Sequence, residues 1–396
     1  MKKLIKFYNI LLILAVAIFF QSCTKTVDLI AHNGNIYTVD ENFSKASAFA
    51  IENGKFIDVG SEDILSKYKS KNIINLNGST VLPGLIDAHC HFYGLGLNQS
   101  VIDLTGTKSF EEIIDKISND DKKSVIRGRG WDQNDWSVKK FPNKSKLDLL
   151  YPETPIILER IDGHAYLVNQ KALDVAKIDV NTKSKNGTVV IENGKLTGVL
   201  IDGPMSLIDK AFGNISNEEK IDALLSAQDI CFKHGLTTVD DAGLSKEVIL
   251  LIDSLQKKNK LKMRVYAMIS NTKNDVNYFL EKGHIKTDLL NVRSVKVYGD
   301  GALGSRGATL KEPYSDDKHN YGKLVTDIQS VKELAKRLSD ENFQMNTHAI
   351  GDSTVNILIK AYSKVLEDKI DPRWRIEHSQ IIDQNDLDGY NEKILP

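Results

Sequence analysis

Two patterns of hydrophobic and polar positions divide this chain. From residue 28 to about residue 82, short alternating runs such as "SAFAIENGKFIDVG" are separated by Asn-Gly and Gly, which is typical of strands joined by tight hairpins. After Pro83, short apolar runs alternate with segments of helical period, which predicts a parallel α/β arrangement. The pattern therefore predicts a small all-β unit followed by a larger α/β body.

The apolar runs of the α/β body predict six strands of one sheet. They cover residues 81–88, 236–240, 263–268, 293–298, 343–348 and 374–378. About 140 residues separate the first two strands, far more than an ordinary connection, so we predict an inserted subdomain over about residues 95–215. Ser-x-x-Glu capping boxes predict helices that begin at Ser109, Ser216 and Ser330, and Gly235 predicts the end of the second helix.

The first residues have the pattern of an export signal. "MKKLIK" supplies a positive start, and the apolar stretch from Ile10 to Phe20 is short for a membrane span. The stretch ends in "FFQSC", which resembles a loose bacterial lipoprotein cleavage site. We expect cleavage after a signal peptide at residues 1–22, lipidation of Cys23, and an exported protein anchored at a membrane on the periplasmic or outer-membrane face. Ordinary secretion and a single anchor helix are the alternatives.

Composition narrows the classes of function. The chain has 396 residues, of which 41% are hydrophobic, and its 52 basic side chains nearly match its 53 acidic ones. This balance gives no electrostatic footprint of a nucleic-acid partner. Three cysteines are too few for a disulfide framework. The composition is that of an ordinary globular protein, and it does not indicate an oligomeric state.

Histidines recur where predicted strands end. "GLIDAHCHF" places two imidazoles on the same side of the first strand, and "QMNTHAIGD" and "WRIEHSQ" each end a later strand in a histidine. The four residues are His89, His91, His348 and His378. Because the carboxyl ends of the strands of a parallel barrel converge on one face, these side chains are expected to meet there. Imidazole nitrogens suit zinc.

A lysine and a glycine-rich turn occur together in "RSVKVYGDGALGSR". Strand lysines are usually solvated, but Lys296 lies between two valines just before the same barrel face. A neutral amine there can add carbon dioxide and become a carbamate, an anion able to bridge two divalent ions. The G-x-G-x-x-G spacing that follows is a weak dinucleotide motif, because no helical pattern comes after it.

Several motifs in one order resemble the amidohydrolase superfamily, most closely its family 3 branch of YtcJ-like and N-substituted formamide deformylase-like hydrolases. The motifs are "VLPGLIDAHCHF", "GRGWDQNDW", "RIDGHAYLVNQKAL", "GLTTVDDAG", "VKVYGDGALGSRGA", "NTHAIGD" and "WRIEHSQ". The resemblance implies an α/β fold: a metal-dependent-hydrolase barrel of the TIM type at residues 83–396, interrupted by the inserted subdomain, after an N-terminal β unit at residues 23–82 that forms part of a sandwich.

The resemblance also implies a binuclear metal site. His89 and His91 would hold one divalent ion, His348 and His378 the other, and carbamylated Lys296 would bridge them, with zinc as the expected metal. A hydroxide bridging the two metals would hydrolyse a carbon–nitrogen bond other than a peptide bond in a small amide, formamide or cyclic amide. His164 and Arg306 are candidate substrate contacts, with structural hydrogen bonding as the alternative, and Trp131 and Trp136 are expected to pack in a core.

A further aspartate on an eighth strand, within a Ser-Asp-x-Pro motif, is implied by the same resemblance. The chain reaches Pro396 after six predicted strands and without that aspartate, so we expect a truncated protein, a partial sequence or a damaged gene product, and a chain that is poorly stable and inactive by itself. Two alternatives follow. One is a non-catalytic lipoprotein that retains the fold as a binding module, and the other is a mononuclear deaminase, which would have no use for Lys296.

Overall fold

The computed structural model describes residues 24–118, 124–184, 186–213 and 215–396. The predicted signal peptide and Cys23 lie outside these residues. The chain divides into two units between Leu85 and Ile86. No helix within the described ranges combines the length and the apolar character that a membrane crossing requires.

From residue 24 onward, the first unit consists of short strands, as the alternating pattern predicted, and of one helical turn. Its elements are β1 (Lys25–Thr26), β2 (Leu29–His32), β3 (Asn35–Tyr37), β4 (Lys45–Ala46), β5 (Ala48–Glu52), β6 (Lys55–Gly60), α1 (Ile64–Lys67), β7 (Tyr68–Lys69), β8 (Ile73–Asn75) and β9 (Thr80–Val81). The strands form sheets in the orders β6-β5-β2-β8, β4-β3-β9 and β1-β7. Ile30, Ala50 and Ile64 are fully buried at the centre of this unit.

A separate sheet follows the first strand of the barrel, and we call it the inserted sheet. From the first barrel strand onward, the elements in chain order are β10 (Leu85–Cys90), α2 (Phe92–Leu97), β11 (Ile102–Asp103), α3 (Phe110–Ser118), β12 (Ile126–Trp131), α4 (Ser145–Leu150), β13 (Ile156–Arg160), β14 (Ala165–Val168), α5 (Gln170–Ala176), β15 (Gly187–Glu192), β16 (Lys195–Asp202) and α6 (Met205–Phe212). Strands β11 to β16 form the inserted sheet in the order β11-β12-β13-β14-β16-β15. Apolar clusters on this sheet include the buried Trp131 and Trp136, which confirms their predicted packing.

The remaining elements return to the barrel. They are α7 (Asn217–Lys233), β17 (Leu236–Leu244), α8 (Lys246–Lys257), β18 (Arg264–Ser270), α9 (Lys273–Lys282), β19 (Ile285–Lys286), β20 (Leu290–Tyr298), α10 (Ile328–Asp340), β21 (Gln344–Ala349), α11 (Asp352–Leu366), β22 (Trp374–His378) and β23 (Ile394–Leu395). The sheet has the order β10-β17-β18-β20-β21-β22-β23, with parallel pairing from β17 to β23. This curled half-barrel confirms the predicted fold class.

The structure differs from the sequence predictions at several points. The first barrel strand begins at Leu85 rather than at residue 81, because Pro83, which has no N–H to donate, lies between β9 and β10. A seventh parallel strand, β23, follows the six predicted ones. The helix predicted to begin at Ser330 begins earlier, because the carboxylate of Asp327 accepts the N–H of Ser330 and caps the first turn.

Candidate metal centre

A cavity of about 1180 Å³ lies where the barrel strands end. Its wall combines barrel residues with residues of the inserted sheet. Five of the sequence-predicted site residues line it, namely His91, His164, Lys296, His348 and His378. His89, the remaining strand-end histidine, is absent from the lining.

Strand register explains how the barrel residues meet. In the parallel pairing of β20, β21 and β22, Lys296 lies opposite Asn346, which lies opposite Arg375. Partners in neighbouring strands face the same side of a sheet, and side chains two residues further on face that side again. His348 and Glu377 consequently form the next row on the same face.

Three histidine contacts define the core of the site. The ring of His89 lies 5.8 Å from that of His91 and 4.7 Å from that of His378, measured between centroids. The rings of His348 and His378 are also 4.7 Å apart. His378 follows Glu377 directly, so in a regular strand the two would face opposite sides, but its φ of 75° takes the backbone out of the strand conformation. The left-handed backbone places both side chains at one site.

Lys296 is buried without a hydrogen-bond partner for its Nζ. Only 1% of the residue is exposed, and Nζ lies 4.8 Å from the centre of the Tyr298 ring. Burial lowers its pKa to about 8, with Arg375 acting in the same direction and Glu377 and Asp241 opposing it. A lysine in this state loses its proton far more easily than an exposed one.

The imidazoles around Lys296 are held in their neutral form. Burial, followed by the charges of Lys296 and neighbouring histidines, lowers the pKa of His91 and of His378 to about 4. Burial and the neighbouring His164 and His378 bring the pKa of His348 well below its usual value. Neutral imidazole is the form that binds metals.

His89 is oriented by a carboxylate. Its Nδ1 lies 2.5 Å from Oε2 of Glu377, whose pKa is lowered because the hydrogen bond with His89 and the charge of Arg375 outweigh the effect of burial. An ionised carboxylate only accepts, so Nδ1 carries a proton in this pair and Nε2 is the ring nitrogen that points elsewhere. Nε2 is buried and has no hydrogen-bond partner. The carboxylate–imidazole pair thus leaves a ligand atom free.

These donors suit a divalent ion, although the side chains do not yet surround one. Orphaned Nζ and Nε2 atoms beside neutral imidazoles are nitrogen donors of the type that zinc accepts. Among the described residues, no group of three or more His, Cys, Asp and Glu side chains is already arranged to hold an ion. Nε2 of His348, for example, lies 3.2 Å from the carbonyl oxygen of Gly301. Because Nε2 donates in this contact, the lone pair of neutral His348 that could bind an ion is on Nδ1.

Two acidic residues of the site were missed by the sequence analysis. Asp241 at the end of β17 is buried, accepts the N–H of Tyr93 at 2.9 Å, and has its pKa raised by burial to about 7. Glu377 pairs with His89 as described. Both lie in motifs already recognised, "TTVDDAG" and "WRIEHSQ", at strand ends. The sequence analysis searched strand ends for histidines. A search of the same strand ends for carboxylates would have found both residues.

The two candidate substrate contacts occupy different environments. His164 lines the cavity, and its ring lies 4.9 Å from that of His348. Its Nδ1 is 2.6 Å from Asp202, and this hydrogen bond together with nearby carboxylates raises its pKa although burial acts to lower it. Arg306 lies outside the cavity lining, where its guanidinium pairs with Asp316 and donates to the Gly304 carbonyl oxygen at 2.8 Å.

Comparison with known proteins gives the class of this fold and site. Residues 72–393 match the amidohydrolase family. The chain is 32% identical to the protein LONG AFTER FAR-RED 3 of Arabidopsis thaliana, with 89% of this chain and 64% of that protein covered. It is also 32% identical to the putative amidohydrolase YtcJ of Bacillus subtilis, with coverage of 89% and 69%.

A solved structure agrees with these relatives. An uncharacterized metal-dependent hydrolase from Pyrococcus horikoshii superposes with a TM-score of 0.71 at 26% identity, over 93% of this chain and 74% of that one. The chain belongs to the amidohydrolase family, as its motifs predicted. The match spans less than two thirds of the plant relative's length.

Proposed function

We propose that this protein hydrolyses carbon–nitrogen bonds other than peptide bonds, with two divalent ions bound at the end of the half-barrel. In this proposal zinc is the expected metal, and Lys296, as a carbamate, would help to hold both ions. The ligands would be His89, His91, His348 and His378. The observation that carries the proposal is the buried Nζ of Lys296, which has no hydrogen-bond partner although it lies among neutral imidazoles.

The protonation of Lys296 favours carbamate formation. Carbon dioxide adds to a neutral amine and not to an ammonium group. At pH 7 a pKa of about 8 leaves roughly a tenth of the amine neutral, against roughly 0.03% for an unperturbed lysine. The carbamate would also replace an unpaired buried cation by an anion that metal ions can neutralise. Burial that is costly for the free lysine thereby becomes an advantage for the modified one.

The chain's own residues would prepare the site for an amide substrate. Bound divalent ions would polarise a carbonyl group and lower the pKa of water. Glu377 would keep the proton of His89 on Nδ1 and so present Nε2 to an ion. His164, held by Asp202 on the inserted-sheet side of the cavity, would contact the substrate.

Metal content tests the proposal directly. The full chain is purified with zinc and bicarbonate, its metal content is measured by mass spectrometry, and a lysine carbamate is sought by ¹³C NMR. We expect two ions per chain, and loss of metal together with amide, formamide or cyclic amide hydrolysis in Lys296→Ala. A short carboxylic acid should restore part of both. The exposed Lys332, changed to Ala, is the matched control.

Two outcomes would contradict this assignment. Two tightly bound ions in Lys296→Ala would remove the lysine from the site. One ion per chain, bound equally well without carbon dioxide, would instead support the mononuclear deaminase.

A further inference from the structure

The glycine-rich motif after Lys296 has a role other than nucleotide binding. Residues 299–307, which we call the glycine loop, connect to no helix before α10. Gly301, Gly304 and Gly307 do not have left-handed backbones, so their conformations do not require glycine. What they provide is space for side chains of the inserted sheet.

Arg160 occupies the space at Gly304. A Cβ at position 304 would lie 2.7 Å from Nη1 of Arg160 and 2.9 Å from Nη2. The guanidinium cannot easily retreat, because Nε donates to Gln133 Oε1 at 2.8 Å and the two Nη atoms donate to Asp132 and Asp162. The residue is 1% exposed. Any side chain at 304 would therefore disturb a buried, fully engaged cation.

Asp202 occupies the space at the other two glycines. A Cβ at Gly301 would lie 2.6 Å from its Oδ2, and a Cβ at Gly307 would lie 2.9 Å from the same atom. Its Oδ1 is 2.6 Å from Nδ1 of His164. Asp202 itself has a left-handed backbone with a φ of 54°, a conformation that costs free energy unless the surroundings hold it. The glycine loop thus forms a socket for two charged side chains.

The loop also contacts the predicted metal centre. The carbonyl oxygen of Gly301 lies 3.2 Å from Nε2 of His348, and the N–H of Gly299 donates to the His348 carbonyl oxygen at 2.8 Å. Asp300 accepts the N–H groups of Ile350 at 3.0 Å and Gly351 at 2.9 Å. The loop begins three residues after Lys296 on β20, and it is hydrogen-bonded to His348 on β21. It therefore connects the strands that carry these two predicted ligands.

We propose that Asp202 and Arg160 are positioning residues that set the geometry of the metal centre through the glycine loop. The inference rests on the proposed function, since it takes His348 as a ligand. Docking of the inserted sheet into the socket fixes Gly301 against His348, and it places His164 beside the same imidazole. Metal affinity would then depend on residues that never touch the ion.

Paired substitutions test the socket in the full chain. Gly301→Ala, Asp202→Ala and the double variant are compared by zinc affinity, measured against a competing chelator, and by thermal unfolding of the metal-free protein. We expect each single change to weaken zinc binding about 10- to 100-fold, as loss of a supporting contact does at other metal sites. We expect the loss in the double variant to be smaller than the sum of the two single losses, because the closest neighbour of the added methyl group, Oδ2 of Asp202, is then absent and only the Gly307 backbone at 3.0 Å remains close.

Controls separate positioning from general damage. Gly60→Ala is the matched control, because a Cβ there has no neighbour within 4 Å. If the alanine variants do not fold, Arg160→Lys and Asp202→Asn replace them, because they keep the approximate shape of the side chains. Both should weaken zinc binding while the melting temperature of the metal-free protein stays close to that of the parent. Zinc affinities within twofold of the parent, or additive losses in the double variant, would overturn the inference alone. A parent protein that binds no zinc would overturn the proposed function and the inference with it.

Discussion

Removing the carboxylate of Glu377 should weaken metal binding, and the loss should be larger for Glu377→Ala than for Glu377→Gln. The hydrogen bond to His89 is short at 2.5 Å, charge-assisted, and formed by a side chain that is only 7% exposed. Loss of a partner that orients a metal ligand typically lowers metal affinity about 10- to 100-fold, and the middle of that range, about 30-fold, corresponds to about 2 kcal/mol. Glu377→Ala should lose all of it. Glu377→Gln can still accept from Nδ1 as a neutral group, so it should lose about half, or roughly fivefold.

Competition with a chelator, applied to metal-free protein, measures both effects. The exposed Glu281 of α9, changed to Ala, is the control. Because the folded-state pKa of Glu377 is below its usual value, its contribution to stability is present above about pH 4.5 and is lost as pH falls through the lower, folded-state pKa. Zinc affinity in Glu377→Ala equal to that of the parent would refute the view that this carboxylate orients His89.

Two further predictions concern Asp241 and Cys23. Burial raises the folded-state pKa of Asp241 to about 7, so its ionisation opposes folding as pH rises from its usual value of 3.8 to about 7. The melting temperature of metal-free Asp241→Asn, relative to that of the parent, should therefore rise as pH increases across this range. Parallel dependences of the two melting temperatures on pH would contradict a raised pKa for Asp241. Cys23→Ser should move the expressed protein from the membrane fraction to a soluble exported fraction, and continued sedimentation with membranes would exclude the lipid anchor.

Local rules were enough to predict the half-barrel and the meeting of its histidines. Alternation places His348 and Lys296 on the inner face of their strands, and parallel strands bring their carboxyl ends to one edge whatever the exact register. This explains why residues from several strand-end motifs line one cavity. Errors occurred at boundaries, where a single capping side chain such as Asp327 decides where a helix begins.

Contacts between distant residues could not be predicted in the same way. Glu377 and His89 are 288 positions apart in the chain, and nothing in either motif indicates the pair. The left-handed backbone of His378 is likewise invisible to the alternation rule, which assigns neighbouring residues to opposite faces. Both features depend on how the curled sheet brings its first and sixth predicted strands together.

The sequence by itself determined the class of fold, the family, and the presence of four histidines and a lysine at strand ends, because those properties follow from short-range periodicity and local motifs. Only the tertiary structure decided which polar atoms are left without partners and which glycines make room for which side chains. Gly304 leaves space for the side chain of Arg160, and Gly301 leaves space for that of Asp202, because the inserted sheet packs against the glycine loop. Burial and packing are collective properties of the folded chain, so the unpaired amine of Lys296 becomes visible only when its surroundings are assembled.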